Sequence, residues 1–512
     1  MDRTLFSTHR AGVPAANALN SERAPAYAFS AEHALAQFAA TGCLSTTFYA
    51  SGAFQLQAAL ALLDRVSPEF VARTAIWSRQ KSFMKDLPAL LSAYLTVADP
   101  ALAEATFERI VDDTKMLRNW VQILRSGVVG RRSLGSMPKR LVQRWLASRT
   151  SEQLFRGSIG DRPSLGDVIR LAHPKPRDPE RSALYAYLSG RKHDASALPE
   201  AVQAFEAWKV RKAGEPPAVP FQLLTSLDLG REEWLAIARR ASWQETRMSL
   251  LTFARHQVFA SKRTTALIAA KLRDREAIRR ARVLPYQLMI ASRTAGDQVP
   301  SSVREALEDA LEIALENVPE IGGKIYICPD VSGSMQSPVT GHRKGATTAV
   351  RCIDVAALMA AAMMRVNRAT VLPFEHQVVD LRLSQRDSVL TNARKLASVG
   401  GGGTSCSAPL ARLNADRARG AAVVLVSDNE SWVDARRHGT GLMAEWEVFR
   451  ARNPEAKLVC IDLTPNRTTQ AVDREDVLNV GGFSDAVFEV IAGFVGATRP
   501  GHWVDRIREV PI

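Results

Sequence analysis

At 512 residues the chain is longer than one ordinary domain, so two or three compact units are expected from length alone. Its composition, 46% hydrophobic and 23% charged, excludes a disordered or fibrous protein. A formal charge of +14 points toward a polyanionic partner, and the longest apolar run near a helix, residues 355–364, falls short of the roughly 20 residues a membrane span needs.

The charge is unevenly spread. Residues 1–320 hold 44 Lys and Arg against 33 Asp and Glu, whereas residues 321–512 hold 23 against 20, so the basic excess belongs to the first part. Residues 114–151 carry Lys115, Arg118, Arg125, Arg131, Arg132, Lys139, Arg140, Arg144 and Arg149 with no acid, and residues 255–293 carry ten basic residues against Asp274 and Glu276. Such blocks repel themselves unless a polyanion neutralises them, and nucleic acid is the commonest one in cytosol; the alternative is a pair of solvated helix faces. Five scattered cysteines, Cys43, Cys328, Cys352, Cys406 and Cys460, show no zinc-ligand spacing and read as buried thiols in a reducing compartment. The start, MDRTLFSTHR, lacks the apolar core of a secretory signal, so a soluble cytoplasmic protein is expected.

In chain order, residues 1–30 are polar and alanine-rich, with Pro14 and Pro25, and read as an arm. Residues 31–320 read as successive helices, among them 53–63, 68–78, 87–97, 100–111, 138–147, 232–239 and 303–315, several opening on proline where it is tolerated in a first turn. Helices of this length joined by short turns suggest an α-solenoid, although no strict sequence period is present. Two loops interrupt it. The loop at 127–138, GVVGRRSLGSMP, carries Arg131 and Arg132 ahead of a helix on which Arg140 and Arg144 share a face opposite Leu141 and Trp145. The segment at 156–176 begins with Arg156, forms a Gly/Pro loop, and carries Arg170 on a short helix before His173. A lone histidine there also reads as a packed or capping residue.

Residues 321–512 alternate strand and helix: strands near 324–328, 370–374, 421–426, 457–463 and 477–480, helices near 349–365, 388–397, 408–418, 442–452 and 484–495. This is the pattern of a doubly wound, Rossmann-like sheet, with an added hairpin edge expected at 376–380. The first strand ends in Asp330, and Asp330, Ser332 and Ser334 recur at every second position, hard oxygen donors suited to Mg²⁺ or Mn²⁺. Downstream come a glycine loop, GGGGT, that delivers Thr404, and a core strand that ends in Asp428. This order resembles the metal-ion-dependent adhesion site of von Willebrand factor A domains, which assigns the ligand roles to Asp330, Ser332, Ser334, Thr404 and Asp428.

The whole chain resembles the Ro autoantigen family, the TROVE module proteins, with bacterial members in view; CPDVSGSM at 328–335, VSDNES at 426–431, TFYASGAFQ at 47–55 and VIRLAHPKP at 168–176 carry the likeness. The resemblance implies a helical HEAT-like solenoid over 31–320 that closes into a ring, followed by the A domain over 321–512. It implies a non-catalytic, monomeric protein that binds Y-type RNAs on its outer surface and single-stranded ends of misfolded non-coding RNAs, with an exoribonuclease reached through the RNA. Carried onto this chain, the RNA contacts are Lys139, Arg140, Arg156, Arg170 and His173, beside Arg131, Arg132 and Arg144 from the basic tract. Gly160 stands where family members often have a basic residue, with Arg162 nearby. The competing readings are a protein adaptor docking to an ATPase complex through the A domain, and a metal-dependent RNA hydrolase with His342 as its general base.

Overall fold

The computed structural model describes residues 13–41, 52–82, 84–160, 162–211, 215–281, 283, 285–338, 350–433, 439–464, 468–482, 487–496 and 503–512. Cys43, His342, most of the 47–55 motif and the start of the expected helix at 484 lie outside them. The chain divides into two compact units. The sheet unit gathers Met1–Arg65, Arg275–Thr294 and Leu307–Glu509, and the helical unit Val66–Asp274, Ala295–Ala306 and Val510–Ile512. The expected boundary near 320 thus falls inside the sheet unit.

The sheet unit is built on five parallel strands: β3 (Ile325–Pro329), β4 (Thr370–Val371), β5 (Ala422–Ser427), β6 (Lys457–Asp462) and β8 (Val477–Gly481), in the order β4-β3-β5-β6-β8. A parallel sheet is covered on both faces, which is why β3, β5 and β8 are apolar runs buried at every position. Helix Cys352–Asn367 is buried along most of its length, and Trp446 stacks on Phe449 (5.7 Å between centroids) within the core cluster. The order places the second strand of the sheet outside the first, so the chain reverses direction of winding between β3 and β5. In open α/β sheets such a switch point, at the carboxyl ends of the strands, is where ligands sit.

Residues 13–30 are not a free arm. β1 (Ala18–Leu19) and β2 (Pro25–Ala28) form a hairpin that adds β7 (Thr468–Thr469), Tyr27 belongs to the sheet unit's core, and its hydroxyl donates to Pro14 O (2.7 Å). Strands of two to four residues are held by register with a partner far along the chain, which no local pattern announces. The expected hairpin edge at 376–380 reduces to one antiparallel bridge, Phe374 to Val378.

In the helical unit the helices follow the sequence pattern closely: Pro68–Gln80, Asp86–Ala98, Pro100–Ile110, Ser136–Ser148 and Arg231–Arg240. Ser67, Asp99 and Asp178 each cap a helix that begins with proline, satisfying amide donors the first turn would otherwise leave unpaired. Buried Trp120, Trp145 and Phe107 fill the interior, and Trp145 Nε1 donates to Val111 O (2.7 Å).

The most demanding polar element of the sheet unit is Asp354, whose side chain is fully buried and receives Arg293 (2.6 and 2.9 Å) and Arg351 (2.9 Å). Burial alone would raise its pKa; the hydrogen bonds from Arg293 and Arg351 outweigh that and hold the carboxyl at about 2. Its stabilising contribution is therefore complete above about pH 4 and is lost as pH falls toward 2. Asp354→Ala should destabilise the protein by about 1 to 2 kcal/mol at neutral pH, because two guanidinium groups, each more than a third exposed, lose their shared carboxylate. Thermal unfolding followed by circular dichroism should show the difference from wild type shrinking below pH 3.

Candidate metal centre and nucleic-acid interface

Three loops meet at the switch point. The loop after β3 carries Asp330, Ser332 and Ser334; the glycine loop carries Thr404; the loop after β5 carries Asp428. Their backbones are stitched together: Asp330 N donates to Val426 O (2.9 Å), Gly333 N to Gly402 O (2.9 Å), Gly401 N to Val331 O (2.9 Å), and Trp432 N to Thr404 O (3.2 Å). Gly400 is bound to be glycine, since its φ is +87° and a Cβ would stand 2.1 Å from Val331 O. Asp330, Ser332, Thr404 and Asp428 are buried and Ser334 is half-buried. The structure thus brings the loops of all five expected ligands to the carboxyl ends of neighbouring strands.

The electrostatics of the loops favour a cation. Asp330 Oδ1 accepts from Ser332 N (2.8 Å) and Oδ2 from Ser427 Oγ (2.5 Å), and among the described residues no Lys or Arg pairs with it. Burial, and then the charge of Asp428, drive its carboxyl well above the usual range against those hydrogen bonds. Glu430, two residues past Asp428, is likewise pushed up to about 7 by burial, and its Oε1 has no hydrogen-bond partner among the described residues. A divalent ion would offset this accumulation of buried acid, so the residues fit such a group. Among the described residues no cluster of three or more His, Cys, Asp or Glu side chains is arranged to hold a metal. Two carboxylates with hydroxyls from Ser332, Ser334 and Thr404 would form a hard donor set, suited to Mg²⁺ or Mn²⁺ and unlike a zinc site.

Two contributors went unread in the sequence. Glu375, just past the strand-like run 370–374, accepts Gly402 N (2.7 Å) and fixes the glycine loop; Ser427 bonds Asp330 directly. Both follow a hydrophobic run at a strand's carboxyl end, a signal shared with Asp330. Asn20 Nδ2 also reaches Ser431 O (2.8 Å), and Ser21 N reaches Glu430 Oε2 (2.8 Å), so the hairpin buttresses the loop that carries Asp428.

In the helical unit the basic residues sort by partner. Lys139 and Arg140 lie on helix Ser136–Ser148, outside its buried Leu141, Val142, Trp145 and Leu146; with Arg132 in the preceding loop they make no ion pair among the described residues. Gln143 on the same helix donates to Ala172 O (2.7 Å) and His173 O (3.4 Å), which ties His173 beside this face. His173 occupies the left-handed cap (φ 51°) of helix Leu165–Ala172 with its side chain exposed.

Other expected contacts are engaged. Arg131 donates to Thr96 O (3.0 Å) and Leu134 O (3.3 Å), and so serves the loop's own backbone. Arg144 pairs with Glu108 (3.0 Å) and Glu104 (3.4 Å), and Arg156 with Glu152 (2.8 Å) and Ala218 O (3.2 Å). Arg170 donates to Ser189 O (3.0 Å) and Asp167 (2.5 Å), and that bond, with those from Ser164, holds the Asp167 carboxyl at about 2.

Fold and loops together define a helical-repeat protein joined to a von Willebrand factor A domain. Residues 324–495 match the family model of the Ro60 vWA domain. The chain is 25% identical over 457 residues to the RNA-binding protein RO60 of Deinococcus radiodurans, covering 85% of this chain and 80% of that protein. Its fold is that of the crystal structure of the Deinococcus radiodurans RO (RSR) protein, with a TM-score of 0.66 at 22% identity over 91% of this chain and 99% of the other. Residues 324–495 are thus similar to the Ro60 vWA domain, and the chain as a whole is similar to the Ro proteins.

If the buried acids are relieved by a cation, metal-free protein should lose stability as pH rises from about 4 toward 8, since the folded state holds protons the unfolded chain has released. Mg²⁺ or Mn²⁺ should raise the melting temperature most at the alkaline end, by the equivalent of about 2.7 kcal/mol at a hundredfold excess over Kd. In Asp330→Asn the metal-free protein should melt no lower than wild type while the metal-induced rise disappears; a persisting rise would place the ion elsewhere.

Proposed function

We propose that this protein binds RNA, gripping small structured Y-type RNAs and the single-stranded ends of misfolded non-coding RNAs for quality control or degradation in the cytoplasm. It is itself non-catalytic. The observation that carries this reading is the set of cations without acidic partners among the described residues, exposed Arg132 and Arg140 and half-buried Lys139, on a helix and loop that also hold His173 alongside. The similarity to a protein named for RNA binding supports it. Each phosphate such cations neutralise releases counterions, so affinity should fall steeply with salt. Exposed guanidinium and imidazole groups suit unstacked ends better than the deep groove of an A-form duplex.

In the same proposal the A domain holds Mg²⁺ or Mn²⁺ on Asp330, Ser332, Ser334, Thr404 and Asp428, leaving a coordination position for an acidic side chain of a partner. A degrading exoribonuclease is reached through the bound RNA, and the protein works as a monomer.

Lys139→Ala combined with Arg140→Ala should weaken binding of a structured RNA with a frayed end and flatten the plot of log affinity against log salt by about 1.4, the share of two phosphates on a single strand. Asp330→Ala should leave RNA affinity within twofold of wild type while abolishing the metal response. Electrophoretic mobility shifts from 50 to 300 mM salt (about the range over which such slopes are read) distinguish these outcomes. Undetectable binding at the lowest salt would favour the protein adaptor instead.

A further inference from the structure

A second group of cations in the helical unit faces a cavity that the RNA contacts above do not use. The cavity, about 660 Å³, is bordered by the start of helix Thr114–Arg125, the end of helix Ser136–Ser148, helix Ser151–Arg156 and the loop that follows. Lys115, Arg118, Arg149 and Arg156 all line it. Its acids are already committed, Asp113 to Lys85 (2.5 Å) and Asp112 to Arg79 (2.8 Å).

The cations are built into the wall. Arg118 is only 9% exposed and donates through Nη1 to Pro163 O (3.1 Å). The chain passes over it at Gly160, where φ is +109° and a Cβ would fall 2.1 Å from the Arg118 guanidinium, so the glycine leaves that group its seat. The Arg149 guanidinium sits over the Trp145 ring (4.7 Å to the centroid) and donates to Ser148 Oγ (3.1 Å). Neither Arg149 nor Lys115 has a carboxylate partner among the described residues. The amino-terminal end of the 12-residue helix Thr114–Arg125 borders the same space, where Asp113 caps it by accepting from Met116 N (2.8 Å). Beside this cationic wall lie Ile159 and the exposed amide of Gln222.

Like charges converging on a concave surface raise its potential, and the arrangement is relieved by a bound anion. A lone inorganic anion would leave most of the space empty, whereas pockets of several hundred Å³ suit a small organic ligand with a few polar anchors. We infer that this cavity is a nucleotide site, in which Arg149 and Lys115 hold a phosphate while Ile159 and Gln222 face the sugar and base. The ligand chemistry is a nucleoside phosphate, from a free nucleotide or from the end of an RNA strand. The inference goes beyond the RNA reading, which rests on different residues.

Calorimetric titration of the full chain with AMP, adenosine and inorganic phosphate, and competition by a short oligoadenylate with and without a terminal phosphate, tests it. AMP should bind and adenosine should not. Lys115→Ala with Arg149→Ala should weaken AMP at least tenfold, as should Arg149→Gln, which keeps the side chain's bulk. Lys139→Ala with Arg140→Ala should leave AMP binding unchanged whatever it does to RNA, so that the two readings fail separately. Displacement of AMP by the oligoadenylate only when it carries a terminal phosphate would assign the strand end as a ligand; displacement by neither oligonucleotide would assign the free nucleotide. No AMP binding, AMP binding unaltered in the Lys115/Arg149 variants, or inorganic phosphate binding as tightly as AMP would overturn the inference.

Discussion

Everything at the sheet's edge follows from two carboxylates ending neighbouring parallel strands. The β3 to β5 pairing runs in register from Ile325 opposite Ala422 to Pro329 opposite Val426, and so delivers Asp330 and Ser427 to one level, with Asp428 one residue beyond. With both faces covered, the register is held by the ladder of interstrand hydrogen bonds and by side chains packed against the helices on either side. The packing that holds the register therefore also holds like charges together in a place with little water. The loops meet that cost with hydrogen bonds from Ser332 and Ser427, which lower the Asp330 pKa without bringing it back to the carboxylate range. A hard divalent ion would complete the balance, with the hydroxyls of Ser332, Ser334 and Thr404 as neutral donors that would add ligands without adding repulsion.

The glycine loop shows how little freedom the arrangement has. Its residue Gly400 sits against Val331 O, Gly401 and Gly402 exchange backbone bonds with the loop after β3, and Glu375 fixes Gly402 from the side. Thr404 owes its position to these contacts and to Trp432 and Val433, whose amides both reach its carbonyl (3.2 Å each). Preorganised donors of this sort lose little entropy on binding a ligand.

Much of this was legible in the sequence, for a physical reason. Core strands such as AVVLV, and helices capped by Ser or Asp before proline, are fixed by local chemistry, so their bounds came out within a few residues. Two of the loops that meet at the switch point were legible because each follows a hydrophobic run, and the third because of its four glycines. The hairpin at 18–28 was not, since it is stabilised by β7, more than 400 residues away, and by Asn20 and Ser21 bonding residues 430 and 431. Nor could sequence separate Arg140, which is unpaired among the described residues, from Arg144, which pairs with acids 36 and 40 positions earlier. The two share a helix face, and only the neighbouring helix distinguishes them.

Net charge therefore overstates what is available to a polyanion, and the structure shows by how much in kind. Arg131, Arg181 and Lys271 each donate to backbone carbonyls: Arg181, buried, bonds Leu146 O (2.8 Å) and Arg149 O (2.6 Å), and Lys271 bonds three carbonyls at the end of helix Arg231–Arg240. Cations there interact favourably with the helix dipole and need no ligand. Arg177, Arg279 and Arg304 are spent in surface pairs of small individual worth. The cations left after this subtraction include Lys115, Arg132, Lys139, Arg140 and Arg149, all from the one acid-free tract at 114–151. The same tract also holds Arg131 and Arg144, which carbonyls and acids satisfy, so an acid-free stretch of sequence narrows the search for available charge without settling it residue by residue.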